Sequence, residues 1–250
     1  MDVFNELGTL TICLILGISL FGSFITAAFG IGGGIITLAG IASLLPAPAI
    51  IPVHGAVQIG SNAGRVALMF RHFDRTALLP FLTGAFIGAA IGGALVVELD
   101  PSTLQIALGL FILWTILFKP PKFFARSASL VGVTSSFLTM FVGGTGPFVI
   151  TFIKSLQLDR MGTVATHAGF MTVQHALKTG VFALLGFAFS EWLFLIAAMI
   201  AAGLIGTLLG KRVLMKVNEA QFKTVLNLVL MVLAIRLIIV GLWPWMASGS

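Results

Sequence analysis

Charge is what this 250-residue sequence has least of: Lys, Arg, Asp and Glu together make up 9%, against 58% apolar residues, and tyrosine is absent. So little charge cannot clothe a water-soluble surface, and almost no chain is left over for a soluble catalytic head; the composition is that of an integral membrane protein. The single cysteine, Cys13, excludes an intrachain disulfide framework and a cysteine-rich metal site, and reads as a small apolar residue. All eight acids fall in expected loops or termini, so no span offers a carboxylate pair for acid–base chemistry or a carboxylate proton relay. No Lys or Arg precedes Arg65, so the basic start of a cleavable signal peptide is missing and the first apolar stretch is expected to stay in the mature protein. The net charge of +6 is spread through short loops rather than gathered in a tail, which argues against nucleic acid as a partner and makes the cations a topology signal.

What is abundant is glycine, and it is concentrated where a helix should be continuous. Phe29-Gly30-Ile31-Gly32-Gly33-Gly34 interrupts one apolar run, and Gly143-Gly144-Thr145-Gly146-Pro147 interrupts another about 113 residues later. Glycine costs up to about 1 kcal/mol per residue in a helix interior, so both helices are expected to break. Broken backbone at membrane depth is tolerated only where protein or a wet cavity satisfies the freed polar groups, which marks both breaks as candidate site elements.

The chain reads as two copies of one unit. Residues 1–118 form the first, with a broken helix over 9–45 and spans near 53–70, 76–97 and 102–118. Residues 119–126 form a linker, and residues 127–246 the second unit, with a broken helix over 127–156 and spans near 162–187, 191–210 and 221–243. Residues 247–250, Ala-Ser-Gly-Ser, read as a remnant that belongs to neither unit. If 127–156 crosses the membrane, Lys154, Arg160, Lys211, Arg212, Lys216 and Lys223 oppose Arg71, Arg75, Lys119, Lys122 and Arg126 with no bias. If it dips in and returns, all eleven share one side, and Asp2, Glu6, Glu98, Asp100 and Glu191 share the other without a Lys or Arg. The positive-inside rule selects the re-entrant hairpin, with basic loops cytoplasmic and both termini outside. By analogy the first broken helix also re-enters, although residues 9–29 alone are long enough to span. The expected fold is therefore an all-α membrane protein of two inverted repeats, each a broken re-entrant helical hairpin plus three transmembrane helices, an arrangement found in transporters.

In the span after the first break, His54, Gln58, Ser61, Asn62 and Arg65 share one helix face. Adding 113 gives His167, Met171, Gln174, His175 and Lys178, a second polar stripe with the same spacing; the offset also pairs Gly30 with Gly143, Gly33 with Gly146 and Gly93 with Gly206. A cation at the bilayer centre costs about 2.5 to 3.5 kcal/mol on insertion scales, so Arg65 and Lys178 require compensation from carbonyls, water or a bound anion. Helices restarting near Ile35 and at Pro147 would aim unpaired N–H groups at the same depth, with the Thr145 hydroxyl as a further donor. His54, His167 and His175 are the side chains in the spans that titrate near neutral pH. Arg236, near Trp243 and Trp245, reads as a cation reaching to the interface.

The Phe-Gly-Ile-Gly-Gly-Gly break, the His and Arg span after it and the duplicated Gly-Gly-Thr-Gly-Pro break resemble the TauE/SafE family of sulfite and organosulfonate exporters, over about residues 17–240. The resemblance implies export of a small sulfur oxyanion or sulfonate across the inner membrane. The sequence holds no metal-ligand spacing, nucleophile elbow or paired carboxylates, so no enzyme activity, cofactor or metal is expected. The resemblance carries Gly30, Gly32, Gly33, Gly34, Gly143, Gly144, Thr145 and Gly146 as backbone lining the site. To these the stripes add Arg65 and Lys178 as charge partners and His54, Ser61, Asn62, His167, Gln174 and His175 around them. Sulfite, sulfoacetate, sulfolactate and taurine remain open as substrates, as do a proton or sodium as coupling ion, and a homo-oligomer. An anion channel or a permease for another organic anion is the nearest alternative; a scaffold or a partner for a membrane enzyme would need neither stripe nor matched breaks.

Overall fold

A computed structural model describes residues 7–96, 100–214 and 219–247; Asp2, Glu6, Glu98, Lys216 and residues 248–250 lie outside the described residues. All regular structure among them is helical. The elements are α1 (Thr9–Phe29), α2 (Gly33–Ile41), α3 (Ala47–Leu68), α4 (Leu78–Leu95), α5 (Pro101–Leu117), α6 (Ala128–Val142), α7 (Gly146–Ser155), α8 (Arg160–Leu184), α9 (Leu193–Val213) and α10 (Glu219–Ala247). Short 3-10 turns occupy Phe70–His72, Lys122–Arg126 and Phe189–Trp192. Phe29 and Val142 close helices, Gly33 and Gly146 open them, and so do Ala47 and Arg160, each pair 113 residues apart.

The breaks have a backbone cause. Gly30 takes φ 83 and its N–H bonds to Thr26 O at 2.9 Å, closing α1 in the left-handed conformation; Gly32 takes φ 105 before α2 restarts. Gly143 takes φ 71 at the end of α6, and Pro147 sits in the first turn of α7, where its missing N–H removes no helical bond. The restarts fall at Gly33 and Gly146, the first two residues earlier than Ile35 and the second one residue before Pro147.

Glycine also sets how the helices meet. Gly84 and Gly88 of α4 rest on the backbone at Ser129 and Val133 of α6, and Gly92 on Phe137, so the two helices run parallel. Gly206 and Gly210 of α9 rest in the same way on Leu20 and Phe24 of α1, also in parallel. Leu20 and Phe24 correspond to Val133 and Phe137 by the 113 offset, so the contacts equate Gly88 with Gly206 and Gly92 with Gly210, an offset of 118. That corrects the pairing of Gly93 with Gly206: Gly93 instead faces Val181 of α8. Close backbone approach, which only a residue without Cβ permits, fixes the register here.

The ends of the bundle differ. Asp74 N–H donates to Thr166 Oγ1 at 3.0 Å, Ser155 Oγ to Ala125 O at 2.9 Å, Arg160 Nη1 to Leu214 O at 3.1 Å and Lys211 Nζ to Leu68 O at 2.7 Å, while His72 lies 4.0 Å from Asp159. These contacts gather the joints bearing Arg71, Arg75, Arg126, Arg160 and Lys211 at one end, and they bring the end of α7 beside the start of α6. At another surface a cavity of about 820 Å³ opens among Pro48, Pro52, Asp100, Phe141, Phe182, Glu191 and Trp192.

Among the described residues three helical stretches are long and apolar enough to cross a membrane: Thr9–Phe29, Leu78–Leu95 and Phe189–Val213. α3 and α8 exceed 18 residues but are absent from that set, because their polar stripes lower the mean hydropathy. They are the interior helices: α3 packs on α8, α2 and α9, and α8 on α3, α4 and α7. Their stripes are covered by protein, while Leu79, Phe86, Phe194 and Ile239 of other helices are exposed on the outer surface. Arg236 is exposed there too, outside the polar interior.

Candidate functional site

α3 and α8 run antiparallel through the interior, His54 of α3 meeting Lys178 of α8 while Asp74, beyond α3, meets Thr166 near the start of α8. The crossing is close because Gly55 has no side chain: a Cβ there would come within 2.7 Å of Lys178 Cε. Both stripes therefore face inward. Arg65 is 1% exposed and Lys178 0%, the two largest cations of the interior. No carboxylate is within salt-bridge distance of either among the described residues; the ion pair His72–Asp159 lies at the surface.

Neutral groups hold the cations instead. Arg65 Nη1 donates to Asn62 Oδ1 at 2.7 Å, and Asn62 Nδ2 donates to Gln58 O at 2.8 Å and Gln58 Oε1 at 3.1 Å, a chain along one face of α3. Arg65 Nε has no protein acceptor. Lys178 Nζ lies 3.4 Å from His54 Nδ1, and His54 Nε2 is 3.0 Å from Gly34 O in the first turn of α2. His175 stands edge-on to His54 with ring centroids 5.5 Å apart. Gln174 Nε2 donates to Ser135 O at 3.2 Å and to Thr145 Oγ1, tying α8 to α6 and to the second break.

A cavity of about 30 Å³ lies where these elements converge. Gly32 and Gly34 line it from the first break, Gly144, Gly146 and Pro147 from the second, and His54, Asn62, His167 and His175 from the stripes. Neither Gly32 before α2 nor Thr145 before α7 caps its helix with a side chain, so both helices present uncapped N-terminal turns at the cavity. The second break touches α2: a Cβ on Gly144 would come within 3.2 Å of Ile35, and one on Gly143 within 3.1 Å of Leu38.

Not every residue singled out in the sequence reaches this cavity. Arg65 and Lys178 stand one residue behind the lining, Arg65 through Asn62 and Lys178 through His54. Thr145 and Gln174 stand behind it likewise, bonded to each other. Ser61 points to Gly203 of α9, whose Cβ would come within 2.8 Å of Ser61 Oγ, and Gly33 is pressed against Gly22 of α1; both belong to helix packing. Conversely Gln58, Met171, Thr26 and Ile31 line the cavity without having been selected. Gln58 and Met171 occupy matched stripe positions and were legible there; Thr26 and Ile31 carried no signal, since a threonine near a helix end and an isoleucine between glycines are ordinary in apolar runs.

A bundle of apolar helices whose interior gathers two cations, three histidines and two broken helices is built as a membrane transport protein. Residues 15–237, nearly the whole chain, match the family model described as Sulfite exporter TauE/SafE, and the chain belongs to that family of membrane transporters. No curated protein and no solved structure matches it.

Proposed function

We propose that the protein exports a small sulfur-containing anion, sulfite or an organosulfonate, by alternating access around the cavity between the two breaks. The observation that carries this reading is that Arg65 and Lys178 are fully buried with no carboxylate beside either among the described residues, one residue behind a cavity lined by two uncapped helix starts. An anion supplies the missing negative charge, and its oxygens accept from the N–H groups at Gly34 and Gly146 and from Asn62 and the histidines. Membership of the family supports a sulfur anion over other anions.

The cavity, at about 30 Å³, has room for one or two water-sized groups by the usual minimum of about 10 to 15 Å³ each. An oxyanion enters when the second break and α2 part, and the contacts of Gly143 and Gly144 with Leu38 and Ile35 are where they part. The two units are read as inverted repeats, supported by the parallel pairs α1 with α9 and α4 with α6, which exchange when the halves are exchanged. Segment 127–156 is read as re-entrant, supported by the bond from Ser155 to Ala125. The end carrying the basic joints is read as cytoplasmic, in the inner membrane.

The test is uptake of labelled sulfite and sulfoacetate into proteoliposomes by the native protein and by Lys178→Gln, with insertion verified for both. Saturable flux that is lost in the variant is the expected result. Unchanged flux in the variant removes Lys178 from the site, and no flux of any sulfur anion by the native protein overturns the substrate class.

A further inference from the structure

The contact between Lys178 and His54 has a hydrogen-bond logic of its own. Gly34 O can only accept, so His54 Nε2, 3.0 Å away, carries a hydrogen. In a neutral ring that leaves the lone pair on Nδ1, and Nδ1 is the atom facing Lys178 Nζ at 3.4 Å. Two arrangements satisfy the contact: an ammonium donating to a neutral ring, or an imidazolium donating to a neutral amine. Both hold one proton between the two nitrogens. A second proton would set donor against donor in a place with no acid among the described residues to relieve it, and loss of the one proton would leave the pair without cationic charge.

We infer that Lys178 and His54 together bind one transported proton, which travels in the same direction as the anion. This rests on the anion site proposed above. When the anion occupies the cavity, the pair holds its proton and the charges balance. When the anion leaves, the proton passes to water on that side, and the pair returns as neutral amine and neutral ring, which removes one of the two buried cations before the empty carrier turns. Each cycle takes one proton from water on the loading side and returns one on the other, with no further reactant.

The surroundings make this pair the titrating element. From α8 the other facing groups are His175, edge-on to His54, and His167, which lies against Gly146 on the far wall; from α3 there is Arg65, a guanidinium that stays charged. Helices α2, α4 and α6 contain no titratable residue, α7 has only Lys154 at its far end, and α9 has only Lys211 and Arg212 at the basic end. His54 also couples the proton to the hairpin, because its other nitrogen holds the first turn of α2. The direction of net flow is compatible with export: a divalent anion with one proton leaves one net negative charge, which an inside-negative potential drives outward.

The test uses sulfoacetate, whose groups do not titrate near neutral pH, in proteoliposomes with the membrane potential clamped at zero and a pH dye trapped inside. An interior one pH unit more alkaline than the bath should drive about tenfold accumulation, one unit being a factor of ten for one proton per anion. The dye should report one proton entering per sulfoacetate. Lys178→Arg, which keeps the charge but cannot release the proton, and His54→Gln, which keeps a donor to Gly34 but removes the ring acceptor, should each lower the protons that the dye reports per sulfoacetate moved from one toward none, a ratio read at whatever exchange rate the variant keeps, and lose the gradient-driven accumulation. Saturable exchange by the native protein without accumulation overturns the proton coupling and leaves the anion site standing. Accumulation that persists in both variants places the proton elsewhere and also overturns it. Absence of any sulfoacetate exchange overturns the anion reading and this inference with it.

Discussion

Arg65 is held by Asn62: Nη1 donates to Oδ1 at 2.7 Å, and this single bond links a fully buried guanidinium to a residue that lines the cavity. The link separates a structural role for Arg65 from an anion-binding one. Asn62→Asp is nearly isosteric and places a carboxylate against the guanidinium, satisfying Arg65 internally. Anion flux should then fall about tenfold or more, the worth of a charge-assisted hydrogen bond of about 1.5 to 3 kcal/mol, while the melting temperature in detergent is unchanged or higher. Intact flux in Asn62→Asp would show that Arg65 serves the fold alone.

The parallel pairs rest on glycine. Gly88 and Gly206 each stand against a partner backbone, at Val133 and Leu20, with no space for a Cβ. Gly88→Val and Gly206→Val should each destabilise by about 1 to 3 kcal/mol, the usual cost of overpacking a filled interior, read as a lower melting temperature. Similar losses at both positions are expected because the two contacts are equivalent.

Backbone conformation distinguishes two other glycines. Gly143 has φ 71 at the second break, whereas Gly180 lies in regular helix with nothing within 4 Å of an added Cβ. Gly143→Ala should cost about 1 to 2 kcal/mol, the strain of a left-handed residue bearing a Cβ, and slow transport through the tip that the second break forms. Gly180→Ala should be neutral or stabilise by about 0.4 to 1 kcal/mol. A rise in transport on Gly143→Ala would count against a tip that must keep its shape.

In the joint after α3, Asp74 accepts from the Thr76 hydroxyl and the Thr76 N–H, each at 2.7 Å, and these bonds hold its carboxyl below the ordinary aspartate value. A group whose pKa is depressed in the folded state adds stability above its unfolded pKa and loses it as pH falls through the folded one. The melting temperature of the native protein should therefore decline below the ordinary aspartate range, and Asp74→Asn should flatten that part of the profile. An identical acid decline in Asp74→Asn would assign it to other groups.

Much of the site was visible in the chain because its signals are local. Four glycines in five residues break a helix wherever it lies, and polar residues spaced by three and four mark one helix face in any apolar run. Such spacing gives the face but not the reach of a side chain. Ser61 and Asn62 are adjacent on that face, yet Asn62 turns to the cavity and Ser61 to Gly203. The difference is set by what α9 packs there, which the sequence of α3 does not contain.

The sequence by itself determined that this is a membrane protein with cations but no acid in its expected spans, because hydropathy and charge are properties of residues that no fold can remove. It also determined where the helices break, because glycine's freedom at positive φ acts within a few residues. Only the tertiary structure decided that Gly88 answers to Gly206, that Lys178 meets His54, and that Arg65 is bonded to Asn62. Those depend on how far two helices slide before backbone meets backbone, and that register is a property of the packed pair.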